Sequence, residues 1–252
     1  MALYLIGLGL NDETDITVKG LNAVKKCDYL FLEDYTSKLQ VGKDKLEKFY
    51  GKKIFLANRE LVEKRADEIL DKALEKNIGF LVIGDVFSAT THVDLYLRAK
   101  AKNIKIKVIH NASILNSVGI VGLELYKYGK TTSMPYFEGN FKPETPYDVI
   151  KMNLSNNLHT LILLDIKKNK DKYMTVNEAL AQLLEIEEKR KENVISKSTK
   201  VIGCARLGSE SQLIRYGKIE DLLKQDFGEP LHCLILPGKL HFMEEDMLKL
   251  YS

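Results

Sequence analysis

Along the first part of the chain, hydrophobic positions come in short continuous runs, each followed by a stretch of helical period. The runs are "ALYLIG" (2–7), "YLFLED" (29–34), "KIFLA" (53–57), "GFLVIG" (79–84) and "IKIKVIH" (104–110). Between them, Leu21, Val24 and Cys27 recur at spacings of three through "DITVKGLNAVKKC", and "KDKLEKFY" makes a short helix. Asn58 stands where it can cap a long helix whose Val62, Ala66, Ile69 and Ala73 share one face. Val93, Tyr96, Leu97 and Lys100 lie along a further helix. Apolar strands that alternate with helices indicate a parallel sheet covered on both faces.

From about Asn111 the texture changes. "SILNSVGIVGLELYKYG" reads as a glycine-bearing helix, "TTSMPYF" as an isolated strand, and "HTLILLDIK" as a strand leading into the lysine-rich loop Lys167 to Lys172. Thr175 and Glu178 form a capping box for a helix through Ala179, Leu183 and Ile186. Near its end Glu185–Lys189 and Glu187–Lys191 stand at i,i+4, which predicts a solvated, self-paired face. The strand "TKVIGCAR", a glycine turn, a helix ending near Gly228, the strand "LHCLILPG" and a last helix with Met243 and Met247 complete the chain. No linker of Pro/Gly/Ser type separates the halves. The predicted organisation is a parallel α/β domain over 1–112 and a second α/β domain over 113–252.

Composition narrows the classes. A chain of 252 residues buries a sizeable core as one large domain or two small ones. With 38 Lys+Arg against 35 Asp+Glu, the net charge of +3 is too mild to announce a nucleic-acid binder. Cys27, Cys204 and Cys233 are far apart and form no C-x-x-C, so neither a disulfide framework nor a zinc site is indicated. The longest apolar runs are too short to span a bilayer and the N-terminus lacks a basic leader, which predicts a cytoplasmic protein without a membrane partner.

The chemistry collects at the carboxyl ends of the strands, where open α/β sheets bind ligands. Gly7-Leu8-Gly9-Leu10 follows the first strand, and Gly84-Asp85 with Ser88, Thr90 and Thr91 follows "FLVI". His110-Asn111-Ala112-Ser113-Ile114, Asp165 and Arg206-Leu207-Gly208-Ser209 follow three others. Each also has a purely structural reading: glycines that allow a turn, Asp85 or Thr90-Thr91 as helix caps, and His110 and His232 as packed core residues. The glycine turn lacks the third glycine of the dinucleotide fingerprint, and Asp12 stands in its place, where a carboxylate repels pyrophosphate.

No P-loop, nucleophile elbow or zinc-protease helix occurs, and the five histidines lack metal-ligand spacing. The apparent site is neutral to acidic and built from backbone groups, Asp, Ser, Thr and Leu. It suits a cationic, nucleoside-like ligand, of which S-adenosylmethionine is the commonest.

The ordered set "YLIGLGLNDETDITVKGL", "FLEDYTS", "GDVFSATTH", "VIHNASILNSVG", "LYKYGKT", "YMTVNEAL", "ARLGS" and "GEPLHCLILPGKLH" resembles the diphthine synthases. They are a branch of the tetrapyrrole-methylase-like, class III methyltransferases. The resemblance covers essentially the whole chain, and "VIHNASI" looks like the eukaryotic-type members. It implies two α/β domains with a cofactor cleft between them, S-adenosylmethionine as methyl donor with S-adenosylhomocysteine as product, and a homodimer. It also implies a protein substrate, the aminocarboxypropyl-histidine of translation elongation factor 2. Its amine is methylated to the trimethylammonium, and in eukaryotic-type members its carboxylate is then esterified. The family's cofactor contacts fall on Leu10, Asp85, Ser88, Ser113, Ile114, Leu164, Leu207 and His232. The family reads G-D-P where Val86 follows Asp85 here, which predicts a looser loop.

No His/Asp pair in the sequence identifies a catalytic base, and no metal is expected. No arginine pair is identifiable as a clamp for the substrate carboxylate, which is compatible with esterification; Arg206, beside Leu207, is the residue that would overturn this by gripping the carboxylate. A same-fold methyltransferase acting on RNA or a corrin is the alternative. A nicotinamide-linked oxidoreductase and a non-enzymatic adaptor are weaker ones.

Overall fold

The apolar runs of the first half become one parallel sheet. In the computed structural model, which describes residues 1–252, its strands are β1 (Ala2–Gly7), β2 (Tyr29–Glu33), β3 (Ile54–Ala57), β4 (Asn77–Val82) and β5 (Ile106–Ile109). They pair in the order β3-β2-β4-β1-β5, all parallel. The interior strand β1 is buried along its whole length. Its side chains alternate between two cores, Tyr4 and Ile6 on one face and Leu3 and Leu5 on the other. The first core is closed by α1 (Val18–Lys26) and α2 (Lys43–Tyr50), through Ala23, Val24, Leu46 and Tyr50. The second is closed by α3 (Arg59–Glu63), α4 (Asp67–Glu75) and α5 (Val93–Ala101), through Val62, Ile69, Leu95 and Ala99.

Two helices depart from their periodicity. Asn58 does cap, accepting from Leu61 N at 2.9 Å, and Val62, Ala66, Ile69 and Ala73 are all buried. The single long helix is nonetheless broken between α3 and α4. Arg98 of α5 donates to the Glu63 carbonyl at 3.0 Å, the acceptor a continuous helix would have used itself. On α5 the buried positions are Leu95 and Ala99, whereas Val93 and Leu97 face solvent.

The chain divides into two compact units, Met1–Ser117 and Val118–Ser252. The residues read as a glycine-bearing helix become only α6 (Ile114–Ser117) in the first unit, then short 3-10 turns at Val118–Val121 and Leu125–Lys127. Gly122 ends the first turn at φ +85, and Met247 packs where its Cβ would be. The left-handed φ takes Gly122 out of any helix, and the place Met247 occupies admits no side chain there.

The second unit holds a mixed sheet of β6 (Thr132–Met134), β7 (Thr160–Leu164), β10 (Lys200–Ala205), β11 (Leu213–Lys218) and β12 (His232–Leu236), in the order β11-β10-β12-β7-β6. Only β6 and β7 run parallel, so "TTSMPYF" is an edge strand and not an isolated one. The lysine-rich loop is the tip of a small hairpin of β8 (Ile166–Lys167) and β9 (Lys172–Tyr173). Strand β11 lies inside the stretch read as a helix ending near Gly228; only α9 (Ile219–Leu222) in it is α-helical. The core forms where α7 (Thr145–Ser155) and α8 (Val176–Arg190) lay Tyr147, Ile150, Leu180 and Leu183 against Ile162 and Leu234.

The capping box of Thr175 and Glu178 at the start of α8 is formed. The i,i+4 ion pairs at its end are not. Glu185 pairs with Lys142 and Lys189 with Glu144. Glu187 accepts from the Tyr147 hydroxyl at 2.7 Å and from Asn193, Val194 and Ile195 N at 2.8, 2.9 and 3.0 Å. The left-handed Lys191 turns the chain back over the helix end, which fixes three backbone N–H donors on Glu187 where a lysine side chain would have to be ordered to reach it.

The last helix, α10 (Phe242–Lys249), is anchored by a buried carboxylate. Glu244 accepts from Lys127 Nζ at 2.5 Å, His159 Nε2 at 3.0 Å, and Glu124 and His241 N at 3.0 and 2.8 Å. Burial opposes its charge, but these donors prevail and hold the carboxyl down at about 2. No helix in the structure is long and apolar enough to cross a membrane.

Candidate functional site

In the first unit the ends of β1, β4 and β5 are laced together by side chains. Gly9 and Gly84 form a backbone bridge, Gly84 N to Gly9 O at 2.7 Å, with Gly9 at φ +84. Asn111 donates to Gly7 O and Asp15 O, both at 3.0 Å, which ties the end of β5 to the turn after β1. The turn's N–H groups, which would cradle a phosphate in a dinucleotide site, are taken. Leu10 N and Asn11 N both donate to Asp15 Oδ2, at 3.0 and 2.8 Å. Asp12, the carboxylate that breaks the fingerprint, is turned to Thr14 and Asn11 instead. The anion is excluded by a filled cradle as well as by charge.

Asp85 is the hub of this end of the sheet. Its Oδ1 accepts from Phe87 N at 3.1 Å and Ser88 Oγ at 3.3 Å; its Oδ2 accepts from Asn111 N at 3.1 Å and His110 Nδ1 at 2.8 Å. Burial raises its carboxyl, but the donors from Phe87, His110 and Asn111 outweigh it and keep Asp85 below its ordinary value. Asp85 therefore organises its own loop and the end of β5; it does not cap α5, whose N-cap is His92 without a side-chain bond. Val86 does not leave this loop untied. It is fully buried, and its carbonyl is held by Thr90 Oγ1 at 2.7 Å and His92 Nδ1 at 3.2 Å. Ser113, buried, lies just ahead of α6 with its N–H on Asn116 Oδ1 at 2.7 Å, and Ile114 opens the helix. Leu10, Asp85 and Ser88 thus belong to one set of strand ends, hydrogen-bonded through Asp15 and Asn111, and Ser113 and Ile114 follow Asn111 at the start of α6. Asp15 and the His110–Asp85 pair are the members that sequence reading did not single out.

In the second unit, Ala205 pairs with His232 and Leu163 with Cys233, so Leu164, Leu207 and His232 gather at one end of the sheet. His232 Nε2 lies 3.1 Å from both the Gly228 and Glu229 carbonyls, which fixes the proton on that nitrogen. Its Nδ1 is buried and has no partner. Burial, against the partial compensation of those carbonyls, depresses its pKa and keeps the ring neutral. Arg206 is spent on backbone. Its Nε reaches Ser211 O at 3.1 Å, and its Nη1 reaches the Phe227 carbonyl at 2.8 Å and the Glu229 carbonyl. It ties the turn bearing Leu207 to the segment before His232 and has no carboxylate partner. Asp165 is likewise structural, accepting from Tyr136 N at 3.0 Å.

An open groove of about 760 Å³ lies elsewhere in the first unit, between α1 and β5, lined by Tyr4, Lys19, Lys26 and Lys107 among others. None of the candidate site residues lines it.

The family profile described as Tetrapyrrole (Corrin/Porphyrin) Methylases matches residues 2–223. The chain is 52% identical to the diphthine synthase of Methanococcus vannielii, over 98% of this chain and 97% of that protein. It is 47% identical to the diphthine methyl ester synthase of Dictyostelium discoideum, over 100% and 98%. A crystal structure of diphthine synthase superimposes with a TM-score of 0.92 at 36% identity, covering 100% of this chain and 96% of that one. The chain belongs to the tetrapyrrole methylases, in the diphthine synthase branch. It is therefore a methyltransferase.

The donor set of this methyltransferase fits S-adenosylmethionine on chemical grounds. The filled cradle at Asp15 and the ionised Asp85 disfavour a pyrophosphate and tolerate a positive centre. The orphaned Nδ1 of a neutral His232 is an acceptor awaiting an N–H or O–H, which an adenosine group carries.

Proposed function

We propose that this methyltransferase acts on the aminocarboxypropyl-histidine of translation elongation factor 2. It methylates the amine to the trimethylammonium and then the carboxylate to the methyl ester, a step of diphthamide synthesis. The observation that carries the reading is collinear similarity, end to end, to a protein named for that ester.

S-adenosylmethionine, when bound, supplies a methyl group already activated on a sulfonium. In this reading the residues that hold it are Leu10, Asp85, Ser88, Ser113, Ile114, Leu164, Leu207 and His232. What the chain must add is placement: a nucleophile in line behind the methyl, with water excluded. Charge is dispersed in the transfer, so no oxyanion hole is required. Amine and carboxylate must, in separate turnovers with fresh donor, reach the same position behind the donor's methyl, which requires the substrate arm to rotate. The commitment of Arg206 to backbone carbonyls supports this, because no guanidinium there clamps the carboxylate in one pose.

The reading also implies a cytosolic homodimer, and sedimentation near the 28.7 kDa monomer mass would refute the dimer. S-adenosylmethionine and its demethylated product should both raise Tm, since a native-state ligand stabilises by about 2.7 kcal/mol at a hundredfold excess over Kd. The deciding experiment is a time course by intact mass on elongation factor 2 that carries the precursor. Methyl additions should accumulate on the modified histidine and end with one that mild base removes. Relatives named for the ester and for diphthine itself match at similar identity, so the base-labile methyl is the observable that separates them.

A further inference from the structure

Methylating the amine and esterifying the carboxylate make different demands on the protein. At neutral pH a carboxylate is already ionised and carries its lone pairs. An amine of this class is mostly protonated, and the product of each N-methylation short of the quaternary ammonium is again a protonated amine. A base is needed for one half of the reaction and not for the other.

The strand ends of the first unit hold a candidate. His110 follows β5 and Asp85 follows β4, far apart in sequence, yet His110 Nδ1 lies 2.8 Å from Asp85 Oδ2. The carboxylate is almost buried, at 11% exposure of its side chain, while the imidazole is 69% exposed. Asp85 is itself fixed by three further donors, Phe87 N, Ser88 Oγ and Asn111 N. An ionised carboxylate only accepts, so the proton of a neutral His110 sits on Nδ1 and the lone pair on Nε2. Nε2 makes no hydrogen bond within the protein, and the Phe87 ring, at 6.5 Å and T-shaped, flanks the imidazole. A buried carboxylate that fixes the tautomer of a half-free imidazole is the arrangement that makes histidine a general base.

We infer that His110, oriented by Asp85, is the base that takes the proton from the substrate's ammonium before each N-methylation. The inference rests on the functional reading above. His110 Nε2 accepts one proton from the ammonium, whose N–H bond breaks and leaves its electron pair on nitrogen. That pair forms the C–N bond as the methyl's C–S bond breaks, and the S–C electron pair stays on sulfur. The imidazolium then returns its proton to water. Esterification uses a carboxylate lone pair and bypasses His110. The ammonium stands beside a free carboxylate, which favours its protonated form, so removal of its proton is a real demand; assistance by a positioned base is worth on the order of 10²-fold or more.

The test compares His110→Asn with the wild type on two substrates, the unmethylated precursor and the trimethylated amine. Asn keeps an N–H donor for Asp85 and lacks a base. N-methylation should fall on the order of 10²-fold, whereas esterification of the trimethylated substrate should change by less than about threefold. Calorimetric binding of S-adenosylhomocysteine should be unchanged. Independently of activity, the ¹⁵N shifts of His110 in the free protein should report the Nδ1–H tautomer, and Asp85→Asn should shift them toward the mixture of an unconstrained histidine side chain. Equal loss of both methylations, or no loss of either, overturns the inference, as does an Nε2–H tautomer. A wild-type protein that methylates neither substrate overturns the functional reading and the inference together.

Discussion

The two units solve the same problem, holding strand ends still, with opposite chemistry. In the first, carboxylates reach for backbone N–H groups, Asp15 for Leu10 and Asn11 and Asp85 for Phe87 and Asn111, while the Asn111 amide donates to the Gly7 and Asp15 carbonyls. In the second, the ends of β10 and β12 are held by donors that reach for carbonyls, Arg206 for Ser211, Phe227 and Glu229 and His232 for Gly228 and Glu229, with Asp165 after β7 as the carboxylate exception. The difference follows from sheet direction. The carboxyl ends of parallel strands lead toward helix starts and tight turns that expose N–H groups. In the mixed second sheet, β12 enters where β10 leaves, and the connecting loops present carbonyls. Like ends therefore do not imply like residues, and a motif learned in one unit has no reason to recur in the other.

The largest expected effect tests whether the units open separately. Glu244→Ala strands Lys127 and His159 without their shared carboxylate, and breaking a buried ion cluster of this kind costs about 3–5 kcal/mol. Hydrogen exchange should rise across residues 118–252; equal rises in 1–117 would show that the units open as one. The same carboxylate sets an acid limit. With its folded pKa at about 2, below the unfolded value of about 4.3, Glu244 contributes stability above that unfolded value and loses it as pH falls toward 2. His159, whose pKa burial depresses, adds a loss in the same direction. Acid unfolding monitored by exchange should start in the second unit.

Gly7→Ala sharpens the comparison from the other side. A Cβ there would lie 2.7 Å from Gly84 O and 2.9 Å from Asn111 Cβ, and backbone on one side cannot give way. Overpacking costs about 1–3 kcal/mol, and the damage should be confined to the first unit, with weaker binding of S-adenosylhomocysteine. Unchanged binding would mean that the strand-end lacing does not shape the cofactor site.

Arg206→Lys should cost about 1–2 kcal/mol, because a single ammonium cannot span the carbonyls that the guanidinium fork bridges. Esterification should persist at a rate near that of the wild type once the variant is folded. Selective loss of the base-labile methyl would show that Arg206 handles the substrate carboxylate after all.

The smallest effect is Thr175→Ala. It removes one half of a formed capping box and should lower stability by about 1 kcal/mol, measured by denaturant midpoint, with no change in cofactor binding. A change in binding would mean that α8 transmits to the strand ends, which no contact described above requires.

How far each unit could be read from its residues differs in the same way. The parallel sheet was legible because strands buried on both faces are apolar at every position, as β1 is. Strand β11 was not, because an edge strand buries one side only: Ile214 is buried and Arg215 beside it is exposed. Its short alternation in "LIRYGK" was the available signal, weaker than the apolar runs around it. The break between α3 and α4 left no mark in the apolar period, and the Glu63 carbonyl it frees is met by Arg98 from α5.

Sequence alone determined where burial lies, which strands end in small and polar residues, and that the turn after β1 is no phosphate cradle. These are local properties, written in period and residue type within a few positions. Tertiary structure decided which polar groups meet: Asp85 with His110, Asn111 with Gly7 and Asp15, Arg206 with carbonyls instead of a carboxylate. Those pairs are set by strand order and register, and a hydrogen bond confined to about 3 Å carries no trace in the spacing of residues so far apart along the chain.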